Sequence, residues 1–236
     1  MQQLDIEGFE IVNEFYSEQE IVQLKQLIDS SDTDKPTFRR ANGLIAVRQF
    51  FREFPNAFKI IFSDKFIKFL LSRFGQEYFV VKSIYFDKPG ESNWFVSYHQ
   101  DLTISVDKRL EISGFGPWTV KQNQFAVQPP LEILKDNFTV RVHLDNTNFE
   151  NGALRVIPKS HLPGIRRIEG GVLESSMEVT CSVDSGGILL MKPLLWHSSS
   201  RTLNNGRRRV IHIEFSRTEL PGGLHWSERE AFLACP

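Results

Sequence analysis

Cysteine is nearly absent: Cys181 and Cys235 are the only two in 236 residues. They form no C-x-x-C pair and no even framework, which excludes a disulfide-stapled scaffold and suits a reducing compartment, so the expected location is the cytoplasm. Long apolar runs are missing too. Nothing approaches the ~18 consecutive apolar residues of a membrane span. The opening stretch Met1 to Phe15 carries four acidic residues and no cationic start, so no secretory leader is expected. Without one, the sequon at Asn137-Phe138-Thr139 reads as accidental. Charge of one sign is not in excess either. Lys and Arg number 28 against 29 Asp and Glu, a net charge of −1, so no global field draws nucleic acid or an anionic membrane. Repeats, low-complexity tracts and linkers are absent, which leaves one domain over residues 1–236.

What is present is apolar bulk. Hydrophobic residues make up 41% of the chain and phenylalanine alone supplies 20, ample for a buried core. Residues 1–75 read mainly as a helical flank. Ile6 to Phe15 has the pattern of a short strand. Ser17 and Glu20 form a capping box ahead of a helix over Glu18 to Asp29, with Ile21, Leu24, Leu27 and Ile28 at helical spacing. Ser30 to Gly43 is polar and turn-rich. Ala57 to Phe62 is helical, and a further helix over Lys65 to Phe74 ends at Gly75.

From Tyr78 the period changes to two. Phe79 to Phe86, Trp94 to Asp101, Phe138 to Asp145, Ala153 to Ile157, Glu178 to Val183, Ile188 to Met191 and Arg208 to Phe215 all read as strands, separated by Gly/Asn/Pro turns and a loop at Gly170-Gly171. In Phe138 to Asp145, the apolar Phe138, Val140, Val142 and Leu144 face one way, and Thr139, Arg141, His143 and Asp145 the other. Many short strands with helices in front predict a mainly β fold with flanking helices, a double-stranded β-helix or jelly roll of the cupin kind, its core spanning 78–216. Residues 102–137 are expected to be a long irregular insertion. A connection that long is usually a lid or binding loop, and Phe115 and Trp118 are its expected lid side chains.

The chemistry centres on Tyr98-His99-Gln100-Asp101-Leu102. A His and an Asp two residues apart at a strand end project to the same side. His197, far along the chain, is the best third partner. Two imidazoles and one carboxylate on one face of a metal, with other positions open, form the facial triad of non-haem Fe(II) oxygenases. Three protein ligands leave three positions, of which a bidentate 2-oxo acid can fill two and O2 the third, and the acid's far carboxylate then needs a buried cation. Arginine suits that, being always charged and bidentate. Arg208 begins the strand after His197, and Ser199 can donate a hydroxyl to the same carboxylate. Arg207 competes with Arg208, and alternation sends the two to opposite faces. The triple Arg207-Arg208-Arg209 has no aromatic interleaving and so does not read as a nucleic-acid patch. His143-Leu144-Asp145 is a second H-x-D and a rival for the metal. His161 reads as a structural loop residue, His212 as either cavity-lining or core, and His225 as surface.

These pieces in this order resemble the phytanoyl-CoA dioxygenase family of Fe(II)/2-oxoglutarate oxygenases. The match runs through IEGFEIVNEFYSEQEI, FDKPGESNWFVSYHQD, RVHLDNTNFENGALRVIPKSH, GGILLMKPLLWHSSS and RRRVIHIEF, nearly the whole chain. The resemblance implies iron at His99, Asp101 and His197, 2-oxoglutarate held by Arg208 and Ser199, and Gln100 and Arg141 near the cosubstrate. It also implies O2-driven decarboxylation of 2-oxoglutarate to succinate and CO2, with hydroxylation of a small molecule. Asp101 argues against the related halogenases, in which a small residue replaces the carboxylate. The usual Pro-Gly-Ser-His reads Pro158-Lys159-Ser160-His161 here. Two other readings stand beside this one. A cupin-type isomerase or hydrolase would not need Arg208, and a non-catalytic jelly-roll binding module would tolerate loss of His99.

Overall fold

The structure, a computed structural model, describes residues 2–31, 38–41, 44–90, 94–121, 124–166 and 177–232. The Gly170-Gly171 loop and Cys235 lie outside these. In chain order the elements are α1 (Gln3–Glu7), β1 (Phe9–Val12), α2 (Glu18–Asp29), β2 (Phe38–Ala41), β3 (Leu44–Arg48), α3 (Phe50–Glu53), α4 (Pro55–Ile61) and α5 (Asp64–Phe74). Then come β4 (Phe79–Lys88), β5 (Val96–His99), β6 (Ile104–Val106), β7 (Trp118–Lys121), β8 (Gln124–Val127), α6 (Leu131–Asp136), β9 (Phe138–His143), β10 (Leu154–Val156), β11 (Val179–Thr180), β12 (Ile188–Met191), β13 (His197–Ser199) and β14 (Arg208–Ser216).

Seven strands make one antiparallel sheet in the order β1-β12-β9-β14-β4-β3-β2, and four make a second, β11-β10-β13-β5. The large sheet holds two environments because its strands alternate. On one face Val140, Val142, Ile211, Ile213 and Phe215 are fully buried and pack with Leu24, Phe62, Phe66 and Leu70 of the helical layer. The helices therefore exist to cover this face, and phenylalanine does most of the filling. Phe138 stacks on Phe215 at 4.8 Å and on Phe74 at 3.8 Å between ring centroids. The other face of β9 and β14 carries Thr139, Arg141, His143, Arg208, His212 and Glu214 toward the small sheet, all of them buried. No helix among the described residues is long and apolar enough to cross a membrane.

The α2 expectation holds to the residue, with both halves of the capping box formed. The strand expected over Ile6 to Phe15 is shorter, because α1 occupies Gln3–Glu7 and Gly8, at φ 84°, turns the chain into β1. Ser30 to Gly43, expected as turns, contributes β2. The insertion differs more. Residues 102–137 hold a three-stranded sheet, β6-β8-β7, and the helix α6. Ile104, Val106 and Val127 build a second core with Phe79, Val81, Leu134, Leu194 and Trp226, and Phe115 and Trp118 pack against it. Asn137, the sequon asparagine, is buried.

Beyond β14 the chain returns across β4. Val80 and Glu230 form a bridge, and the Glu228 carboxylate accepts from the Ser83 amide at 3.0 Å and from the Ser83 hydroxyl at 2.5 Å. Burial pushes this carboxyl up from its usual 4.5 to about 7, against the opposing pull of those two hydrogen bonds and of Lys82. A folded-state pKa above the unfolded one means the native state binds the extra proton, so stability falls as pH rises from about 4.5 through about 7. Glu228→Gln is accordingly expected to melt higher than the parent at pH 8 and equal to it near pH 4.5. Melting curves across that range check it.

Candidate metal centre

Pairing register assembles the centre. β5 and β13 run antiparallel in the small sheet with His99 directly opposite His197. Their ring centroids lie 4.2 Å apart. After His99 the strand ends and the chain turns, and the Asp101 amide donates to the Pro193 carbonyl at 2.8 Å. That turn is pinned from behind by Gln100, whose side chain is buried. Its Nε2 donates to the carbonyls of Gly164 (2.9 Å) and Leu194 (2.6 Å), and its Oε1 accepts from the Arg166 amide (2.9 Å). Both ends of the amide are thus engaged by backbone. Gln100 borders the cavity, but its hydrogen bonds orient the turn instead of reaching for the cosubstrate expected beside it.

The Asp101 carboxylate places one oxygen 3.7 Å from His99 Nε2 and the other 3.7 Å from His197 Nε2. One ligand atom from each of the three residues lies within 4.8 Å of the other two. A triangle of that size has its centre roughly 2–2.8 Å from each corner, within a small adjustment of metal–nitrogen and metal–oxygen bond lengths. Each imidazole is also preset for ligation. His99 Nδ1 lies 2.9 Å from the Ser97 carbonyl and His197 Nδ1 lies 2.9 Å from the Leu195 carbonyl. A carbonyl only accepts, so each Nδ1 carries the hydrogen and each Nε2 keeps its lone pair for a metal. Burial lowers the His197 imidazole to about 4, despite the Asp101 carboxylate, so it is neutral at pH 7. Burial alone would raise the Asp101 carboxyl, but His197, His212, Lys82 and His99 outweigh it and hold it near 2. The donor set is therefore one carboxylate and two imidazoles, each with Nε2 turned toward the same point, the chemistry a ferrous ion takes.

A cavity of about 430 Å³ opens beside these three residues, between the two sheets, and is lined also by Arg141, Arg208, His212, Glu214, Lys82, Ser199 and Trp94. Of the three consecutive arginines, only Arg208 turns inward. Arg207 forks onto Asp87 at 2.9 and 2.6 Å, and Arg209 grips Asp145 at 2.8 Å through both Nε and Nη2. Arg208 gives Nη2 to the Ser199 hydroxyl at 3.2 Å, which in turn donates to the Gly152 carbonyl at 3.1 Å. Its Nε and Nη1 are buried with no hydrogen-bond partner among the described residues. Burial, and then the nearby Arg141, bring this guanidinium down to about 9. A buried arginine with two vacant donors and no acid is a receptor for a carboxylate. Gly152 makes the neighbourhood possible: at φ +77°, a Cβ there would sit 2.6 Å from the Ser200 oxygen and 2.8 Å from Lys88 Nζ.

A polar row crosses the large-sheet wall. Arg141 Nη1 donates to His212 Nδ1 at 3.0 Å, His212 Nε2 donates to Glu214 Oε1 at 3.0 Å, and Lys82 reaches the same oxygen at 2.7 Å. His212 was legible only as cavity or core, and it lines the cavity. Lys82 and Glu214 were not singled out in the sequence. Their signal was there: a lysine amid the apolar β4, and a glutamate on the same face of β14 as Arg208. The rival pair separates. His143 meets Thr147 Oγ1 at 2.8 Å, whereas Asp145 is held by Arg209 and by Lys25 at 3.0 Å, away from His197. His161 meets the Asp5 carbonyl at 3.1 Å, and His225 is exposed. Phe86 and Trp94, and not Phe115 or Trp118, are the aromatic side chains that line the cavity.

A family model described as phytanoyl-CoA dioxygenase matches residues 4–210. No curated protein sequence matches the chain. Among solved structures, HygX from Streptomyces hygroscopicus with nickel and 2-oxoglutarate bound superposes with a TM-score of 0.63 at 15% identity, over 90% of this chain and 84% of that one. EctD from S. alaskensis in its apoform superposes with a TM-score of 0.67 at 17% identity, over 91% and 74%. The carbocyclase SnoK from nogalamycin biosynthesis gives 0.65 at 13% identity, over 91% and 81%. At these identities the likeness is one of fold, the jelly roll.

Proposed function

The chain belongs to the phytanoyl-CoA dioxygenase family of Fe(II)- and 2-oxoglutarate-dependent oxygenases, and from that membership we propose that His99, Asp101 and His197 hold the iron while Arg208 and Ser199 hold 2-oxoglutarate. The observation that carries this is the pairing of a three-residue ligand triangle with a buried arginine whose Nε and Nη1 have no partner in the same cavity. HygX, with nickel and 2-oxoglutarate bound, supports the reading by analogy of fold. When bound, iron and 2-oxoglutarate supply the oxidising chemistry that couples O2 and loss of CO2 to hydroxylation of a substrate C–H bond, leaving succinate.

The protein's own part is orientation and exclusion. Ser97 and Leu195 carbonyls fix the two imidazoles, and Gln100 fixes the turn that presents Asp101. Arg208 takes the far carboxylate of the cosubstrate with its Nε and Nη1, and Ser199 adds its hydroxyl by turning its hydrogen from the Gly152 carbonyl to the ligand. Arg141, locked by His212, lines the same cavity and faces the cosubstrate from the large sheet. The 102–137 segment lines one side through Leu102, Thr103, Ser105 and Ala126. The substrate is a small molecule and the product its hydroxylated form. The free, buried thiol of Cys181 fits a cytoplasmic location.

The test is anaerobic addition of Fe(II) and then 2-oxoglutarate to the full-length protein. A weak visible metal-to-ligand charge-transfer band is expected in the parent and is expected to vanish in His99→Ala. A folded, iron-loaded protein without that band would overturn the assignment.

A further inference from the structure

The large-sheet wall of the cavity carries an ion pair that is complete in charge and open in hydrogen bonding. Lys82 and Glu214 face each other in the register of β4 and β14, with Nζ and Oε1 2.7 Å apart. Both side chains line the cavity. Burial works against each charge. Glu214 and then Asp101 outweigh it for the Lys82 cation, and Lys82 and then His212 outweigh it for the Glu214 carboxylate, so the pair is ionised. The charge at this end is balanced. Arg48, which also lines the cavity, already has a partner. The Glu228 carboxyl, hydrogen-bonded to Ser83, stands near Lys82 as a further acid. A ligand that brings a full charge here meets no uncompensated opposite charge, so the cost of stripping its water is not returned.

Hydrogen bonding is not exhausted in the same way. Glu214 Oε1 receives both His212 Nε2 at 3.0 Å and Lys82 Nζ at 2.7 Å, and among the described residues Oε2 receives nothing. The Lys82 ammonium has three N–H groups and, among the described residues, uses one of them, on Glu214. The two side chains keep 16% and 11% of their surface open on the face that lines the cavity. A donor and an acceptor therefore stand side by side, and Lys82 lies close enough to the Asp101 carboxylate for the two charges to attract. Beyond the charged groups the lining is apolar or neutral: Ile84, Phe86, Trp94 and Leu102 give apolar surface, and the exposed Thr103 and Thr119 add hydroxyl side chains. The volume of about 430 Å³ is shared with 2-oxoglutarate, which leaves space for a ligand of similar size.

One kind of ligand group matches such a pair: an uncharged one that accepts and donates at once. A carboxylate would repel Glu214, an ammonium would repel Lys82, and an ether would leave Oε2 facing another acceptor. Resting on the functional reading above, we propose that the substrate is a small, mainly apolar molecule that docks an uncharged hydroxyl or carboxamide on the Lys82–Glu214 pair. Its oxygen accepts from Lys82 Nζ and its O–H or N–H donates to Glu214 Oε2, which makes the pair the specificity-determining element of the cavity.

The experiment uses full-length protein loaded with Fe(II) and 2-oxoglutarate under anaerobic conditions. The probes are matched sets in which one carbon skeleton, of about ten non-hydrogen atoms, carries an alcohol, a primary amide, a methyl ether, a carboxylate or an amine. Binding is read from the shift of the charge-transfer band and from the melting temperature, and succinate release is then measured in air. Alcohols and amides are expected to bind, and to stimulate succinate release, about tenfold or more over the other three. Two variants are expected to re-sort the panel in opposite directions. Glu214→Gln leaves Lys82 without its counter-charge, so preference moves about tenfold from the alcohol toward the carboxylate; Lys82→Met leaves Glu214 alone, so it moves as far toward the amine. A pair that merely braces the sheet would not exchange one ligand class for another. Ethers, acids or amines binding the parent as well as the alcohols do, or no member of the panel binding, would overturn the proposal, and that measurement needs no variant to fold. Variants that keep the charge-transfer band and the parent's order of preference would overturn it too. Failure of the band to form in the parent would instead strike the iron and 2-oxoglutarate assignment on which the proposal rests.

Discussion

Asp101→Ala is expected to abolish tight ferrous-iron binding and to lower 2-oxoglutarate turnover by more than ~100-fold, beyond the loss typical of disturbing a group that merely orients a ligand. The carboxylate is the one anionic corner of the triangle, and it spans both imidazoles with 3.7 Å approaches to each. Without it, two imidazole nitrogens alone face a dication in a cavity already lined by Lys82, Arg141 and Arg208. Asp101→Asn tests charge apart from shape: it keeps the volume and one oxygen, and is expected to bind iron little better than the alanine variant. The control is Asp145→Ala, in the second H-x-D. Asp145 clamps Arg209 and Lys25 away from the cavity, so that variant is expected to melt lower and to bind iron as the parent does. Anaerobic metal titration with a melting curve for each protein separates the two. Iron binding retained in Asp101→Ala and lost in Asp145→Ala would move the centre to the other pair.

That contrast also measures what the chain discloses before it is folded. His99 and Asp101 were readable as partners because two-residue spacing at a strand end is a local rule, and His197 because a third ligand had to come from another strand. Alternation said that Arg207 and Arg208 face opposite sides of β14 but left open which of them turns inward; in the structure Asp87 and Asp145 hold Arg207 and Arg209 on the outer side. What alternation could not supply was the partner across space. Nothing in the sequence of β14 says that Glu214 meets Lys82, because that contact depends on the register between β14 and β4. The inserted segment was opaque for another reason. Its strands are three or four residues long, too short to show a period, and the first two are parted by a connection that carries Gly114, Gly116 and Pro117. Phe115 and Trp118 looked like lid residues for their Gly/Pro setting, yet the insertion needs a core of its own and they serve it. Gln100 illustrates the remaining limit: its place between two ligands was plain, but its amide is consumed by carbonyls and an amide from residues 164, 166 and 194.

Arg208→Met is expected to weaken 2-oxoglutarate binding by about 30- to 1000-fold, the effect of losing a buried charge-assisted pair worth roughly 2–4 kcal/mol, while iron binding stays intact. The ligand-free protein is expected to behave in the opposite direction. Arg208 is 7% exposed and, among the described residues, is in no ion pair and leaves Nε and Nη1 without partners. Burial costs such a cation free energy that nothing in the empty cavity returns, and a methionine of similar length fills the space without a charge. The variant should therefore melt at or above the parent temperature when no cosubstrate is present. Added 2-oxoglutarate should then raise the parent's melting temperature and not the variant's. Arg208→Lys is the finer probe, since lysine keeps the charge but loses the planar fork. It is expected to recover part of the affinity and little of the selectivity for 2-oxoglutarate over shorter 2-oxo acids. This crossing of effects distinguishes a binding arginine from a structural one. A structural arginine, once removed, would lower the melting temperature with and without cosubstrate alike, and an isomerase or hydrolase on the same barrel would keep its turnover.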